Sequence, residues 1–491
     1  MKNIARLLLY LVASAAIVAA ATVAEQMPQG ITVGKGQTLE LTDKTIQTPS
    51  VTVESGGTLI LHGTTLLMDG TTVSPASIWA KSGAAVQILN GSNVTSANGN
   101  GYTFWVDSGS AFEMRDGEIS KCGVEGPTER NRGLYVQANN AVIENNVLGD
   151  NYYCLFLIGT QSAQVIDNKF NGCEMQAIKA QNAGFTQMSS NYFSINDQAL
   201  YSVILSSCLN TVVSNNLFEN AYGLGLAQTN ASAISSNNFT NSEGPSIGLI
   251  QGSDSKENIL EENIMTGRLD ISGISNTVKG GSVGSELNVH TGANSNKFDG
   301  VKFMSSNMVL NSQTTSGTAF DNNVFDGTQF TEDNAVITLE SNNTVHKATF
   351  GKNVSIIMTG IQNVVDNVTI QDCAGILIGS QFVQGIGALN TLSNSMIVLN
   401  FASGHGIVCE GPCLIANNTI TDTVTLAQQA TEREASLTGL VVAREAGLAA
   451  SSVPETAAPK QQTSNGVQAA FPLIVLLGAA ALFAFWTMKG R

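Results

Sequence analysis

Positive charge is scarce. Lys and Arg number 23 in 491 residues against 38 Asp and Glu, giving a formal net charge of −15. They form no dense patch, which excludes the basic footprint of a nucleic-acid-binding protein. Charge of either sign reaches only 12 % of residues. The outer surface must therefore be covered largely by Ser, Thr, Asn and Gly. The four histidines, His62, His290, His346 and His405, are scattered, and no Met cluster joins them, so a metal-delivery site lacks a ligand set. No HExxH or P-loop pattern occurs, which leaves zinc proteolysis and ATP use without support. The seven cysteines (122, 154, 173, 208, 373, 409 and 413) include no CxxC pair, so neither a zinc knuckle nor a thioredoxin-like site is expected. A helical 3.6-residue periodicity is missing from the body of the chain, which argues against an α-solenoid.

What is present is a repeat. VIENNVLGDN, QVIDNKFNGC, QMSSNYFSIN, VVSNNLFENA and AISSNNFTNS follow one another between residues 142 and 241. Each places an Asn two positions before a large apolar residue. The amides are Asn146, Asn168, Asn191, Asn216 and Asn237, and the pattern returns at Asn263, Asn296, Asn323 and Asn418. The aromatic partners are Phe170, Phe193, Phe218, Phe239, Phe298 and Phe325. Between Asn323 and Asn418 about four more turns fit, with Phe350, Ile370 and Ile397 in the apolar slot but no Asn.

The period is roughly two dozen residues, within the range of repeat architectures. The segments are rich in Val, Ile, Asn, Thr, Ser and Gly, so each repeat reads as a coil of short strands. Coils stacked at about 4.8 Å would turn the Asn positions into a ladder of amides and the Phe positions into an internal aromatic stack. Asn suits the corner because its short amide satisfies turn groups and tolerates φ > 0.

From about Ile31 to Asp422 the repeat resembles the right-handed parallel β-helix, or pectin lyase-like, family. The resemblance implies an all-β fold, a right-handed parallel β-solenoid. It does not imply one function, because the family includes pectate lyases, polygalacturonases, copper-site maturation proteins and many surface proteins.

In chain order, residues 1–24 read as a secretion signal. Lys2 and Arg6 precede the apolar run Leu7 to Ala21, and Thr22-Val23-Ala24 forms a small-residue exit; an uncleaved anchor is the competing reading. Residues 25–115 alternate apolar and polar residues between Gly-containing turns and read as N-terminal β-rich coils and cap, including the rungs SIWAKSGAAVQIL and YTFWVDSGSAFEM. Residues 116–132, DGEISKCGVEGPTERNR, form a charged insertion loop. Insertions in a solenoid map to one face, often the binding face. Residues 133–422 hold the parallel repeats. The Gly/Ser-rich span from about 267 to 294 suggests a longer loop or a weakened coil. Residues 423–450 read as a terminal cap or helix, and 451–468 as a stalk.

Residues 469–488 form an apolar run long enough to span a bilayer as a C-terminal transmembrane helix. Lys489 and Arg491, in the tail 489–491, keep that end cytoplasmic and the solenoid outside. A lipid-anchor signal at Ser464-Asn465-Gly466, or a sorting sequence, is the alternative. The expected location is thus the extracellular side of the cell membrane, with a single span.

Cys409 and Cys413 bracket Glu410-Gly411-Pro412. Either they close a small disulfide loop or they are buried thiols that fill coil positions. Eight Asn-X-Ser/Thr sequons, at Asn90, Asn93, Asn230, Asn238, Asn342, Asn353, Asn367 and Asn417, offer N-glycosylation sites, although a chain this rich in Asn, Ser and Thr also makes sequons by chance.

The catalytic candidates are weak. Polygalacturonase-like members of the family carry Asn-Thr-Asp, Asp-Asp, Gly-His-Gly and Arg-Ile-Lys segments. Here only Gly404-His405-Gly406 matches, Asp197 stands alone, and no Arg-Ile-Lys follows, which leaves His405 a lone candidate. Lyase-type members hold calcium on acidic residues and use Arg or Lys as the base. Asp116, Glu118, Glu125 and Glu129, with Lys121, Arg130 and Arg132, are the candidates for that arrangement, against the blander reading of a solvated charged loop. Calcium enters only with the lyase-like reading; no other cofactor is indicated. Arg268 and Asp270 form a second, sparser pair.

Two functions follow. The first is a membrane-anchored, non-catalytic surface scaffold whose roughly sixteen coils reach on the order of 75 Å and bind glycans or neighbouring surface proteins. The second is an extracellular polysaccharide lyase, epimerase or hydrolase.

Overall fold

The computed structural model describes residues 24–422, apart from 195–200, 221–222, 241–243, 250–254, 291–292, 305–306, 311–322, 334, 340–341, 359–361, 379–389, 400–405 and 410–412. The stretches expected to be a secretion signal (before residue 24), a terminal cap, a stalk and a membrane span, and His405, therefore lie outside the described residues. Among the described residues no helix is long and apolar enough to cross a membrane.

The chain winds into a right-handed parallel β-solenoid of about 15 turns. Each turn lays down up to three short strands, and each strand pairs in parallel with its equivalent one turn away. The first sheet begins with Thr38–Thr42, Thr58–His62, Ala85–Leu89 and Ala111–Arg115. The second begins with Thr45–Thr48, Thr65–Met68, Asn93–Ser96 and Glu118–Ser120. The third runs through Ser50–Val53, Ser77–Ala80, Thr103–Val106, Gly133–Val136, Tyr153–Ile158 and Ile178–Gln181. Alternation decides what faces inward: in Ser77–Ala80, Ile78 and Ala80 are buried while Ser77 and Trp79 are not. The inward residues merge into one apolar core along the tube.

The corner between the first and second sheets explains the choice of amide. A left-handed residue precedes each ladder Asn: Asn145 (φ 55°), Asp167 (φ 56°), Ser190 (φ 57°), Asn215 (φ 56°) and Ser236 (φ 54°). Short polar side chains tolerate that conformation best after glycine. The next residue turns its amide into the tube. Asn191 Oδ1 accepts from the backbone N–H of Asn168 at 2.9 Å and from its Nδ2 at 3.1 Å. Asn191 Nδ2 donates to Asn216 Oδ1 at 3.0 Å and to the Val165 carbonyl at 2.8 Å. All four hydrogen-bonding positions of the amide are thereby used. The same pattern links Asn146, Asn168, Asn191, Asn216, Asn237 and Asn263.

The amides do not form one column. Asn296 and Asn323 belong to a second ladder at the corner that enters the first sheet. There Asn258 donates to Asn276, Asn276 to Asn296 and Asn296 to Asn323. Asn343, Asn363 and Asn390 continue it, so the stretch without Asn before its Phe350, Ile370 and Ile397 has Asn at the other corner. Asn418 returns to the first corner, where its Oδ1 accepts from the Ser395 N–H at 2.9 Å.

The rings divide in the same way. Phe170, Phe193, Phe218 and Phe239 stack along the second sheet with centroids 5.1, 4.6 and 4.4 Å apart. Phe298 and Phe325 stack at 4.4 Å in the first sheet instead. Phe350 returns to the second sheet behind Phe303 and Phe330, two rings the sequence spacing overlooked.

Two boundaries also move. Asp116 (φ 53°) is a regular corner residue, and Glu118–Ser120 is a regular second-sheet strand. The insertion therefore starts at about residue 121, not 116. Among the described residues from 267 to 290 the coil is neither weakened nor looped out. It is shortened: Asn258 and Asn276 are only 18 residues apart, yet Arg268–Ile271, Thr277–Lys279, Ser282–Val283 and Leu287–Val289 extend all three sheets.

Cys409 and Cys413 are bonded, and a second disulfide, Cys154–Cys173, ties one coil to the next with Cα atoms 5.6 Å apart. Cys122, Cys208 and Cys373 are buried thiols. Burial raises the pKa of all three, that of Cys373 to about 12, which makes them inert at neutral pH. Replacing Cys154 and Cys173 together by alanine is expected to lower stability by about 3 kcal/mol, the entropy of a loop of this length. Urea unfolding followed by circular dichroism reads this, and an unchanged midpoint would mean that the ladders alone hold these coils.

Candidate functional site

The outward positions of the third sheet also form a column. Successive rungs carry Trp79, Trp105, Tyr135, Phe156 and Lys179 in register. Alternation within each strand sends these residues outward while their neighbours fill the core. The sequence showed this in the third letter of SIWA and TFWV, and two of the three tryptophans stand there on adjacent rungs. Trp79 and Trp105 meet edge to face with centroids 6.0 Å apart, and Tyr135 and Phe156 do the same at 5.3 Å.

The insertion folds over this column. Its one short helical turn, Glu129–Asn131, brings the Arg130 guanidinium to 4.7 Å from the Trp105 ring centroid, 5.7 Å from Trp79 and 5.8 Å from Tyr135. Trp105 Nε1 donates to the Arg130 carbonyl at 2.9 Å. Asp107, two residues beyond Trp105, pairs with Arg130 and accepts from Trp79 Nε1 at 2.7 Å. Lys179 lies 4.8 Å from the Phe156 centroid and pairs with Glu129 at 2.7 Å. Lys81 approaches Trp79 at 5.0 Å and pairs with Glu54. Tyr135 and Phe156 are covered, whereas Trp79 and Trp105 stay half-open. Burial is the largest cause of the raised pKa of Tyr135; nearby Arg130 opposes it. The result is an aromatic ledge edged by three cations, Arg130, Lys179 and Lys81, and by the Asp107 carboxylate, able to stack on a planar or ring-shaped ligand and to hydrogen-bond its rim.

The candidate charges of the insertion do not all gather here. Glu129 and Arg130 do. Asp116 instead lines a shallow recess of about 570 Å³ with Arg115, Glu144, Asn145 and Asp167. Arg115 is committed to Glu113 and Glu144 there, and Asn145 donates to Asp116. Glu118 points outward on the second sheet. Lys121 pairs with Asp150 at 3.0 Å. Glu125 is exposed, and Arg132 Nε is spent on the Gly126 carbonyl at 2.9 Å, bracing the loop. Among the described residues no three His, Cys, Asp or Glu side chains meet as a metal-holding group.

The first sheet carries a charged outward column: Glu261, Lys279, Asp299, Asp326, His346 and Asp366. His346 lies 3.0 Å from Asp326 and 3.6 Å from Asp366. The Ser393 hydroxyl, then Asn394 and His346, hold Asp366 below its ordinary pKa. Exposed pairs of this kind contribute little to stability. Gly280-Gly281-Ser282-Val283-Gly284 spells the GxSxG pattern of serine hydrolases. Ser282, however, opens a two-residue strand in a regular coil, with no helix following it, so the nucleophile elbow is not formed.

Residues 104–265 match the family described as right handed beta helix region. The solenoid is thus a right-handed parallel β-helix. Among solved structures the chain is similar to PfbA, a surface adhesin of Streptococcus pneumoniae, at 12 % identity and TM-score 0.32, over 72 % of this chain and 82 % of that one. It is similar to the alginate lyase AlyF-OU02 at 13 % identity and TM-score 0.33, over 79 % and 87 %. The A-module of the mannuronan C-5 epimerase AlgE6 of Azotobacter vinelandii gives 8 % identity and TM-score 0.26, over 74 % and 91 %. No curated protein matches the sequence.

Proposed function

We propose that the chain is a surface β-helix protein, held by its C-terminal apolar run, that binds a glycan along the outward face of the third sheet. The observation that carries this reading is the ledge of Trp79 and Trp105 with Arg130 and Asp107. Rings that stay partly exposed in a polar setting suit the apolar face of a sugar, and the flanking carboxylate and cations suit its hydroxyls. Rungs spaced by about 4.8 Å repeat such contacts along a linear ligand. The apolar start, the stalk and the basic tail support an extracellular solenoid.

A glycan array probed with the full-length chain in detergent tests the reading. Trp79→Ala with Trp105→Ala is expected to weaken binding at least tenfold, about 1.4 kcal/mol. An empty array, or unchanged affinity in the double variant, overturns it. The second reading, a polysaccharide-active enzyme, draws its support from Asp270 farther along the same face, where Arg268 Nε donates to its carboxylate at 2.8 Å and His290 Nε2 stands 3.8 Å away. Incubation with the bound glycans and assay for new reducing ends or unsaturated products decides between the two.

A further inference from the structure

Beyond Lys179 the outward column continues as Ile204, Gly225, Gly248, Asp270 and Asn288. Two successive glycines cut a trough into a face that otherwise carries side chains. Tyr201, which precedes the strand Val203–Ser206, lies in it. A Cβ at Gly225 would stand 2.8 Å from Cδ2 of its ring, and one at Gly248 would collide with its hydroxyl oxygen. The phenol thus ends over Gly248, whose partner on the next rung is Asp270.

Asp270 is only 8 % exposed, which makes its hydrogen bonds decisive. Oδ1 accepts from Arg268 Nε at 2.8 Å and from Asn288 Nδ2 at 3.1 Å, and His290 Nε2 stands 3.8 Å away. Among the described residues Oδ2 and the Tyr201 hydroxyl have no hydrogen-bond partner. One carboxylate oxygen is anchored while the other is left to be used, one rung from the Gly248 that the phenol covers.

We propose that Tyr201 and Asp270 form a subsite for two neighbouring hydroxyls of a neutral sugar ring; this rests on the glycan-binding reading above. Asp270 Oδ2 accepts from one hydroxyl, and the Tyr201 O–H donates to the oxygen of the other. Burial, reinforced by Asp270, lifts the phenol pKa to about 12, so it stays protonated and able to donate at neutral pH. Arg268 offsets the Asp270 charge, but the free oxygen faces the ligand as an acceptor, so a carboxylated sugar is disfavoured here. The trough lies on the same face as the tryptophan ledge, seven rungs from Trp105 to Asp270, or roughly 34 Å.

The test titrates the full-length chain with cellohexaose and with hexagalacturonate, a neutral and an acidic linear hexasaccharide, alongside the array. Tyr201→Phe removes one oxygen and keeps the ring in its trough. It is expected to weaken cellohexaose binding at least tenfold, as is Asp270→Asn, with far-ultraviolet circular dichroism unchanged for Tyr201→Phe. If Asp270→Asn misfolds, Tyr201→Phe alone decides. Wild-type affinity in Tyr201→Phe, while the Trp79 and Trp105 variant loses binding, overturns the subsite and leaves the ledge standing. Tyr201-dependent binding of hexagalacturonate in preference to cellohexaose overturns the assignment to a neutral sugar. If neither hexasaccharide nor any array glycan binds the wild type, the subsite and the glycan reading fall together.

Discussion

Asn191→Ala is expected to destabilise the central coils by about 4 kcal/mol, because it orphans two buried backbone groups at roughly 1–3 kcal/mol each. The Asn168 N–H loses the oxygen it bonds at 2.9 Å, and the Val165 carbonyl loses its donor at 2.8 Å. The neighbouring amides of Asn168 and Asn216 each lose a partner as well. No water route relieves the defect if the core stays closed, since Asn168, Asn191 and Asn216 are all buried. Native-state hydrogen exchange reads the effect locally: the Asn168 amide should exchange much faster in the variant. Urea unfolding gives the global value. Asn191→Asp should be worse than alanine, since a carboxylate has no hydrogen to offer the Val165 carbonyl or Asn216 Oδ1. An Asn168 amide as slow as in the wild type would show that the ladder is ornamental.

Phe218→Ala is expected to cost a similar amount, about 3–5 kcal/mol, by a different route. Its ring lies between Phe193 at 4.6 Å and Phe239 at 4.4 Å and is fully buried. Removing it leaves a void in a closed tube, and both flanking rings lose a stacking partner. Phe218→Leu should recover much of the loss, because Leu148 holds the same inward position in an earlier rung. Urea midpoints of the two variants test this. A loss in Phe218→Leu as large as in Phe218→Ala would show that ring stacking, rather than filled volume, governs the column.

The fold was legible because an amide after a left-handed corner and a ring two positions on are local chemistry repeated many times. The phase of the repeat was not legible, and one pair of segments shows why. Asn168-Lys169-Phe170 and Asn296-Lys297-Phe298 are the same tripeptide, followed by Asn171-Gly172 and Asp299-Gly300. Both glycines have positive φ, 63° and 65°. Yet Phe170 lies in the second sheet and Phe298 in the first. Nothing within the tripeptide distinguishes the two corners; the pairing with neighbouring coils does. The same limit applied to the site. The outward tryptophans could be read from strand alternation, and the density of charge marked the insertion. That Arg130 would close on Trp79, Trp105 and Tyr135, while Asp116, Glu118 and Lys121 went elsewhere, depended on how a loop crosses three rungs. The Tyr201 trough depended on glycines far apart in sequence that become adjacent only when stacked.

One coil carries both Asn258 and Asn263, the start of one amide ladder and the end of the other. It acts as an adaptor between two rods with differently placed seams. On either side of it, whole coils can be gained or lost in evolution, or by design, without mismatching a seam. A splice that omits it would leave Asn237 to end the first seam, as Asn263 does now, and Ser232, whose N–H already donates to Asn258 Oδ1 at 3.0 Å, to meet Asn276 instead. The protein's reach is thus adjustable in single rungs, and the change of seam sets no fixed length.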